Sequence, residues 1–323
     1  MGDAPRLDTD VLTVGVTYRD LIMTGLPSLP RLGEERHATA LHETWGGISN
    51  MTRVCRALGL RTAMSTPLGD DVASAQLVSD MTALGIDMSL SRTHPGWRLP
   101  TTVALSTSED RAMATVEVAP PGGVTAHLDN ASFQADSVIV DMRDPVLPWI
   151  DRVRSEGAVV YASRGFDATG AWSTEALIRG GACDVWMLNE LESTAFTGAK
   201  DAREAARLLS AKVPLVVVTR GASGLLAVDA ARGEEAEAPA FAVEATGTTG
   251  AGDSALASFV FANRLPSLTL AQRLDVVAFV VATILSSPSG AADPPHADEL
   301  LTRARTIDDP RAGHIAAALA GRA

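Results

Sequence analysis

Between residues 245 and 259 the chain reads ATGTTGAGDSALASF, with glycines at 247, 250 and 252 leading to Asp253 and an apolar helical segment. Where such a turn feeds a helix, glycine lets backbone N–H groups approach a ligand closely. The helix dipole then favours an anion such as a phosphate. A Walker-type loop needs a lysine followed by Ser or Thr, and the chain's only lysines are Lys200 and Lys212. The GxxGxG spacing, late in the chain, also departs from a dinucleotide fingerprint. What distinguishes the turn is the carboxylate at its end, placed where a bound phosphate would meet an incoming hydroxyl, the position a general base needs. Phosphoryl transfer is the chemistry this suits, with Gly250, Ala251 and Gly252 as N–H donors and Asp253 as base; one such donor contributes roughly 2.7–4 kcal/mol. Read in isolation, the same residues also serve as a tight turn with Asp253 as a plain N-cap.

An anion turn requires a frame, and the flanking pattern supplies one. Residues 11–16 (VLTVGV) form a β-rich apolar run suited to a strand buried on both faces. Residues 21–44 are punctuated by Pro and Gly without helical period, and predict short strands and turns outside the main sheet. Helical spacing over 51–58 stops at Gly59, a strand is expected over 61–66, and a second helix over 72–84 stops at Gly85. Residues 97–118 instead alternate like an antiparallel ribbon turning at 108–110. Strand candidates resume at 137–140, 158–161, 184–188 and 215–219, separated by helical segments, and helices follow at 254–263, 270–285 and 296–305, with a helical or frayed tail from 315. The expectation is one α/β domain over 1–323 with a doubly wound, mostly parallel sheet, and a small β lid from two excursions, 16–44 and 97–119.

Composition narrows the function classes. Hydrophobic residues at 46% and charged residues at 20% of 323 exclude a disordered or collagen-like chain. Acidic residues outnumber basic ones by 39 to 27, giving a formal charge of −12, the wrong sign for a general nucleic-acid binder. The arginines are dispersed and not interleaved with aromatics, so no nucleic-acid surface is expected. The acidic, polar first ten residues lack the apolar core of a secretory leader, and the apolar run at 276–285 is too short to span a bilayer, so no membrane role is expected. Cys55 and Cys183 stand far apart and match neither a metal motif nor a disulfide framework, which points to a reducing cytoplasm. The six histidines show no metal-ligand spacing.

The stretch Gly247-Thr248-Thr249-Gly250-Ala251-Gly252-Asp253 resembles the late signature of the ribokinase-like, or PfkB-type, carbohydrate kinases, approximately DTTGAGDxFxxG. Further elements resemble that family in the expected order, from about residue 11 to 295. Gly15-Val16-Thr17-Tyr18-Arg19-Asp20 looks like the opening strand whose closing aspartate grips sugar hydroxyls. Gly46-Gly47-Ile48-Ser49-Asn50 is similar to the GGxxN element that lines the substrate pocket. Asn189-Glu190-Leu191-Glu192 resembles the NxxE element, whose Asn and Glu share one face of a starting helix and orient water-bound Mg²⁺. Thr219-Arg220-Gly221-Ala222-Ser223-Gly224 is similar to the TxGxxG loop at the nucleotide, and Gly290-Ala291 to the loop closing the adenine side. Each has an ordinary structural reading as well: a turn Asp at 20, loop glycines at 46 and 47, helix capping at 189. Gly69-Asp70-Asp71 matches a recurrent turn and is read as structural.

The resemblance implies an ATP- and Mg²⁺-dependent kinase acting on a hydroxyl of a small sugar or sugar-like substrate. Asp20, Gly46, Gly47 and Asn50 would hold the substrate, and Asn189, Thr219, Gly221, Gly224 and Gly290 the nucleotide. Glu192 would hold the metal through water, and the pair of lids would join a homodimer. Asp141, Arg143 and Arg164 are further candidates on the sugar side. Gly247 stands where many members carry Asp, a side chain associated with a monovalent-cation site, which argues against potassium activation. Ala255, Ser258 and Leu188 replace a common Phe, Gly and Pro, as packing changes. The alternatives are a nucleoside kinase of the same fold and a non-catalytic sugar- or nucleotide-binding regulator.

Overall fold

The computed structural model describes residues 7–107, 111–141, 148–163, 183–243, 250–287 and 289–321. Its first half comprises β1 (Leu7–Val14), β2 (Thr17–Thr24), β3 (Ala40–Gly47), α1 (Ile48–Ala57), β4 (Thr62–Ser65), β5 (Pro67–Leu68), α2 (Val72–Ala83), β6 (Arg92–Thr93), β7 (Thr101–Ser106) and β8 (Arg111–Val116). There follow β9 (Phe133–Asp141), α3 (Pro148–Ser155), β10 (Val159–Ser163), β11 (Val185–Asn189), α4 (Glu190–Thr197), α5 (Ala202–Ser210), β12 (Leu215–Thr219), β13 (Leu225–Asp229) and β14 (Glu234–Ala238). Four helices close the chain: α6 (Ala251–Asn263), α7 (Leu270–Leu285), α8 (Ala297–Ala304) and α9 (Ala312–Ala320).

Eight strands form the main sheet in the order β14-β13-β12-β11-β10-β9-β1-β4. From β4 to β12 neighbours run parallel, and β13 and β14 return antiparallel. Parallel strands covered on both faces need apolar residues at consecutive positions, and Leu215-Val216-Val217-Val218 shows how they are used. Leu215 and Val217 enter the core with α1, α2, α6, α7, α8 and α9, while Val216 and Val218 enter the opposite core with α3, α4 and α5. Burying a Val or Leu side chain is worth about 1.5–3 kcal/mol, so each such strand fastens both helical layers. No helix among the described residues is long and apolar enough to cross a membrane.

A second sheet, ordered β3-β2-β7-β8, stands apart from the first. Its strands are longer than the broken pattern of 21–44 predicts: β2 and β3 pair along their full eight-residue length. The strand β3 also runs past residue 44, because Gly46 and Gly47 pair with Tyr18 and Thr17 as strand residues. Strands β13 and β14 were not anticipated from sequence. The EEAEA run of β14 is polar because it lies at the sheet edge, where its glutamates pair with arginines: Glu235 with Arg203 and Arg207, and Glu237 with Arg203 and Arg220. The turn at Gly69-Asp70-Asp71 is structural: Asp71 caps α2 by accepting from Ser74 N at 2.8 Å. Asp70 accepts from Gly96 N at 3.1 Å.

Candidate active site

Helix α6 begins where Gly250 turns the chain. With φ 79°, Gly250 is left-handed, a conformation glycine adopts at little cost. A Cβ there would stand 2.9 Å from the Cβ of Ala291 and 3.5 Å from Asn50 Nδ2, so the missing side chain lets two other segments close on the helix start. Gly250 is the N-cap and Asp253 lies in the first turn, which corrects the reading of Asp253 as a plain cap. The N–H groups of Ala251, Gly252 and Asp253 precede the first intrahelical bond, from Ser254 N to Gly250 O at 2.8 Å. Nothing lies within 4 Å of where a Cβ on Gly252 would stand.

The Asp253 carboxylate is held across the fold. Asn50 Nδ2 donates to Asp253 Oδ2 at 2.9 Å. Burial raises the Asp253 pKa; the Asn50 bond and the Arg53 charge oppose the rise, and the Glu192 charge adds to it. Asn50 is itself fixed from behind, its Oδ1 accepting from Arg53 Nη2 at 2.8 Å. That guanidinium, only 6% exposed, also donates to the carbonyl of Trp45 and, at 3.4 Å, to Thr44 Oγ1. Burial lowers its pKa to about 10, against the pull of Asp20, Asp293, Asp253 and Asp80. Sequence reading missed Arg53, although its spacing of three from Asn50 on a helix places both on one face.

Asp20 faces the same centre from β2, where it pairs with Thr44 of β3 and Thr102 of β7. A Cβ on Gly46 would lie 2.1 Å from Asp20 Oδ2, so the carboxylate occupies the space the glycine vacates. Burial raises the Asp20 pKa to about 6; a hydrogen bond from Thr102 and the charge of Arg53 pull it down, and Asp253 pushes it up. Gly47, with φ 63°, caps α1, and a Cβ there would stand 2.4 Å from the carbonyl oxygen of Val16.

The carboxyl ends of β11 and β12 bring Asn189 and Thr219 directly opposite each other in the sheet register. In doubly wound sheets this edge is where ligands bind. Asn189 and Glu192 form a capping box: Glu192 N donates to Asn189 Oδ1 at 2.8 Å and Asn189 N to Glu192 Oε2 at 3.0 Å. The capping role of this pair is therefore real, and the Glu192 charge adds to the raised pKa of Asp253. Burial raises the Glu192 pKa, opposed by its bonds to Asn189. Gly221 (φ 54°) and Gly290 (φ 53°) have open space where a side chain would point, whereas a Cβ on Gly224 would stand 2.0 Å from the Ala238 carbonyl oxygen. Gly224 is thus required by the backbone of β14, and Arg220 pairs with Glu237. Asp141 ends β9, half-buried beside Gly15, while Gly247, Thr248, Thr249, Arg143 and Arg164 lie outside the described residues.

The sequence profile of the pfkB family carbohydrate kinases matches residues 8–265. The chain belongs to that family. Among solved structures, Arabidopsis thaliana ribokinase complexed with ribose and ATP is similar at a TM-score of 0.75 and 18% identity, over 92% of this chain and 98% of that one. Methanocaldococcus jannaschii nucleoside kinase gives a TM-score of 0.72 at 17% identity, over 91% and 97%. Burkholderia thailandensis nucleoside kinase in complex with inosine gives 0.71 at 19% identity, over 92% and 98%. No curated protein matches the sequence. This pfkB-family chain has the ribokinase-like fold, and the turn at Gly250 that sequence singled out packs against Asn50 and Ala291.

Proposed function

We propose that this pfkB-family kinase transfers the γ-phosphoryl group of ATP to a hydroxyl of a small sugar or sugar-like substrate, with Asp253 as general base. The observation that carries the reading is the Asp253 carboxylate itself. It is raised in pKa by burial, held by Asn50, and set in the first turn of a helix whose leading N–H groups have no intrahelical acceptor. A base tuned upward toward working pH takes a hydroxyl proton more effectively than an ordinary carboxylate. In the reaction, the acceptor oxygen bonds to the γ-phosphorus as its proton passes to Asp253 and the bond to the β-phosphate oxygen breaks, releasing ADP. The N–H groups of residues 250–252 face the charge that gathers on the transferred group, without reorganising as it does so.

Asp20 and Asn50, with the bare backbone of Gly46 and Gly47, would hold the acceptor. Asn189, Thr219, Gly221 and Gly290 would hold the nucleotide; Gly224 supports that loop from behind. Glu192 fits a Mg²⁺ ion held through water, since it is an oxygen donor whose charge already reaches Asp253, and Mg²⁺ keeps several waters beside one or two carboxylates and the phosphates. Bound there, the ion would neutralise charge on the phosphates. The second sheet, residues 17–24, 40–47, 101–106 and 111–116, would act as a lid that excludes water, and its outer face would join two copies into a homodimer. A nucleoside is the second acceptor class, favoured by the similarity to the two nucleoside kinases.

The test is Mg²⁺-dependent ADP release from ATP across sugars, sugar acids, sugar phosphates and nucleosides, with Asp253→Asn beside the parent protein. One acceptor class should respond, and the variant should turn over roughly 10²–10⁴-fold more slowly at unchanged thermal stability. Near-normal turnover in the variant would remove Asp253 as the base.

A further inference from the structure

The guanidinium of Arg53 lies at the centre of a relay that no substrate group is needed to complete. Its Nη2 donates to Asn50 Oδ1 at 2.8 Å, and the opposite end of the Asn50 amide donates to Asp253 Oδ2 at 2.9 Å. An amide that donates at one end and accepts at the other has a fixed orientation only if both partners are fixed. Arg53 is a donor alone, so it forces the Asn50 oxygen toward itself and the NH₂ toward Asp253. The same Nη2 reaches the carbonyl of Trp45, and Nη1 the hydroxyl of Thr44, next to the Gly46 whose missing side chain makes room for Asp20. One guanidinium therefore touches helix α1, the end of β3 and, through Asn50, helix α6.

Its situation costs the fold something. Arg53 is 6% exposed, and its Nε has no hydrogen-bond partner among the described residues. A buried charge with an unsatisfied N–H is unfavourable for stability unless its surroundings compensate, and an apolar side chain of similar volume would often serve the fold as well. The compensation here comes from carboxylates at the site: Asp20 on β2, Asp253 on α6 and Asp293 after residues 290–292, with Asp80 on α2.

We infer that Arg53 is a positioning residue for phosphoryl transfer: it fixes the Asn50 amide, and through it aims the Asp253 carboxylate. This rests on the reading of Asp253 as the base. A misplaced base loses rate even when substrates still bind, because reacting groups must be aligned within a fraction of an ångström. The role therefore predicts a fall in kcat with little change in KM.

The experiment compares Arg53→Lys, Arg53→Met, Asn50→Ala, the double variant Asn50→Ala/Arg53→Lys and Asp253→Asn, with ATP and the responsive acceptor. Arg53→Lys keeps a buried cation but loses the planar fork, so it is the variant chosen to fold if Arg53→Met does not. The expected result is a drop in kcat of roughly 10–10²-fold for Arg53→Lys, with KM for ATP within about twofold of the parent. In the Asn50→Ala background the same change should cost less than about threefold, because a residue acting through Asn50 has nothing left to aim. Full multiplication of the two single effects, or an Arg53→Lys enzyme with parental kcat, would overturn the proposal. So would loss of thermal stability at parental kcat, which would make Arg53 a structural residue. If Asp253→Asn keeps near-normal turnover, the base assignment falls and takes this inference with it. If Asp253→Asn is silent while the Arg53 variants behave as the parent, only this inference falls.

Discussion

Asp20 and Asp253 are two carboxylates whose acidity is weakened by burial; the Asp253 charge raises Asp20 further, and the Glu192 charge raises Asp253. For Asp20 the sign can be followed through to stability. With a folded pKa of about 6 against an ordinary 3.8, the folded state binds more protons than the unfolded chain between those values. Stability then falls as pH rises through that window, and above about pH 6 the ionised carboxylate is a net burden on the protein without substrate. Asp20→Asn should therefore raise Tm at pH 7.5, by about 2 °C, and lose most of that advantage at pH 4. The same variant should raise acceptor KM at least tenfold if Asp20 accepts substrate hydroxyls, so melting curves and kinetics read opposite consequences of one side chain. Most of this site was legible in the sequence because its residues sit in short ordered motifs: Gly46-Gly47, Asn50, Asn189 to Glu192, and Gly250 to Asp253. Arg53 was not legible, because an arginine in the helix ISNMTRVCRA has no motif around it, and only the folded chain buries it and brings it within hydrogen-bond reach of Asn50 and Trp45.

At the scale of elements, the loop between β12 and β13 shows how one glycine pattern serves two purposes. Gly221 and Gly224 both have positive φ, at 54° and 84°, but only Gly224 has backbone where a side chain would go. Gly224→Ala would drive a Cβ into the carbonyl of Ala238 and should lower stability by about 1–3 kcal/mol, read as an earlier denaturant midpoint. Gly221→Ala meets only the cost of a left-handed backbone, about 1 kcal/mol, and should act chiefly through a raised KM for ATP. Equal effects of the two changes on stability would contradict this division. The main-sheet strands that sequence predicted are buried on both faces, where apolar residues run consecutively, and the β7–β8 ribbon was legible from its alternation and turn. Of those it missed or broke up, β13 (LLAVD) is a five-residue run buried on both faces, β14 is EEAEA because arginines neutralise it at the sheet edge, and β2 (TYRDLIMT) is only partly buried along its length. Hydropathy carries no strand signal where charged partners come from elsewhere in the chain.

Taken whole, the molecule is one doubly wound sheet with a smaller sheet beside it, and the alternation of strand and helix made the first of these legible from sequence alone. The second sheet bears on assembly. On the face opposite Asp20 it carries Leu21, Met23, Leu41, Val103, Leu105 and Val116, of which Leu41 is 60% and Val116 70% exposed. Apolar sheet faces of this kind tend to be covered, and a homodimer through this sheet would cover it. Light scattering coupled to size exclusion should report a dimer for the parent protein and a monomer for Leu41→Glu/Val116→Glu; a parent that runs as a monomer would remove the homodimer. The strand order has a further consequence, for synthesis rather than for catalysis. Strand β1 is made first but ends between β4 and β9, and β9 leaves the ribosome only about 70 residues after β4. At about 5–20 residues per second, one edge of an apolar strand waits some 3–14 s for its partner. Helix α6, with Asp253, comes later still, so the carboxylate and the amide that holds it meet only after most of the chain has been translated. Chaperone demand should accordingly concentrate on the nascent chain before β9, at a stage when nothing resembling the finished site exists.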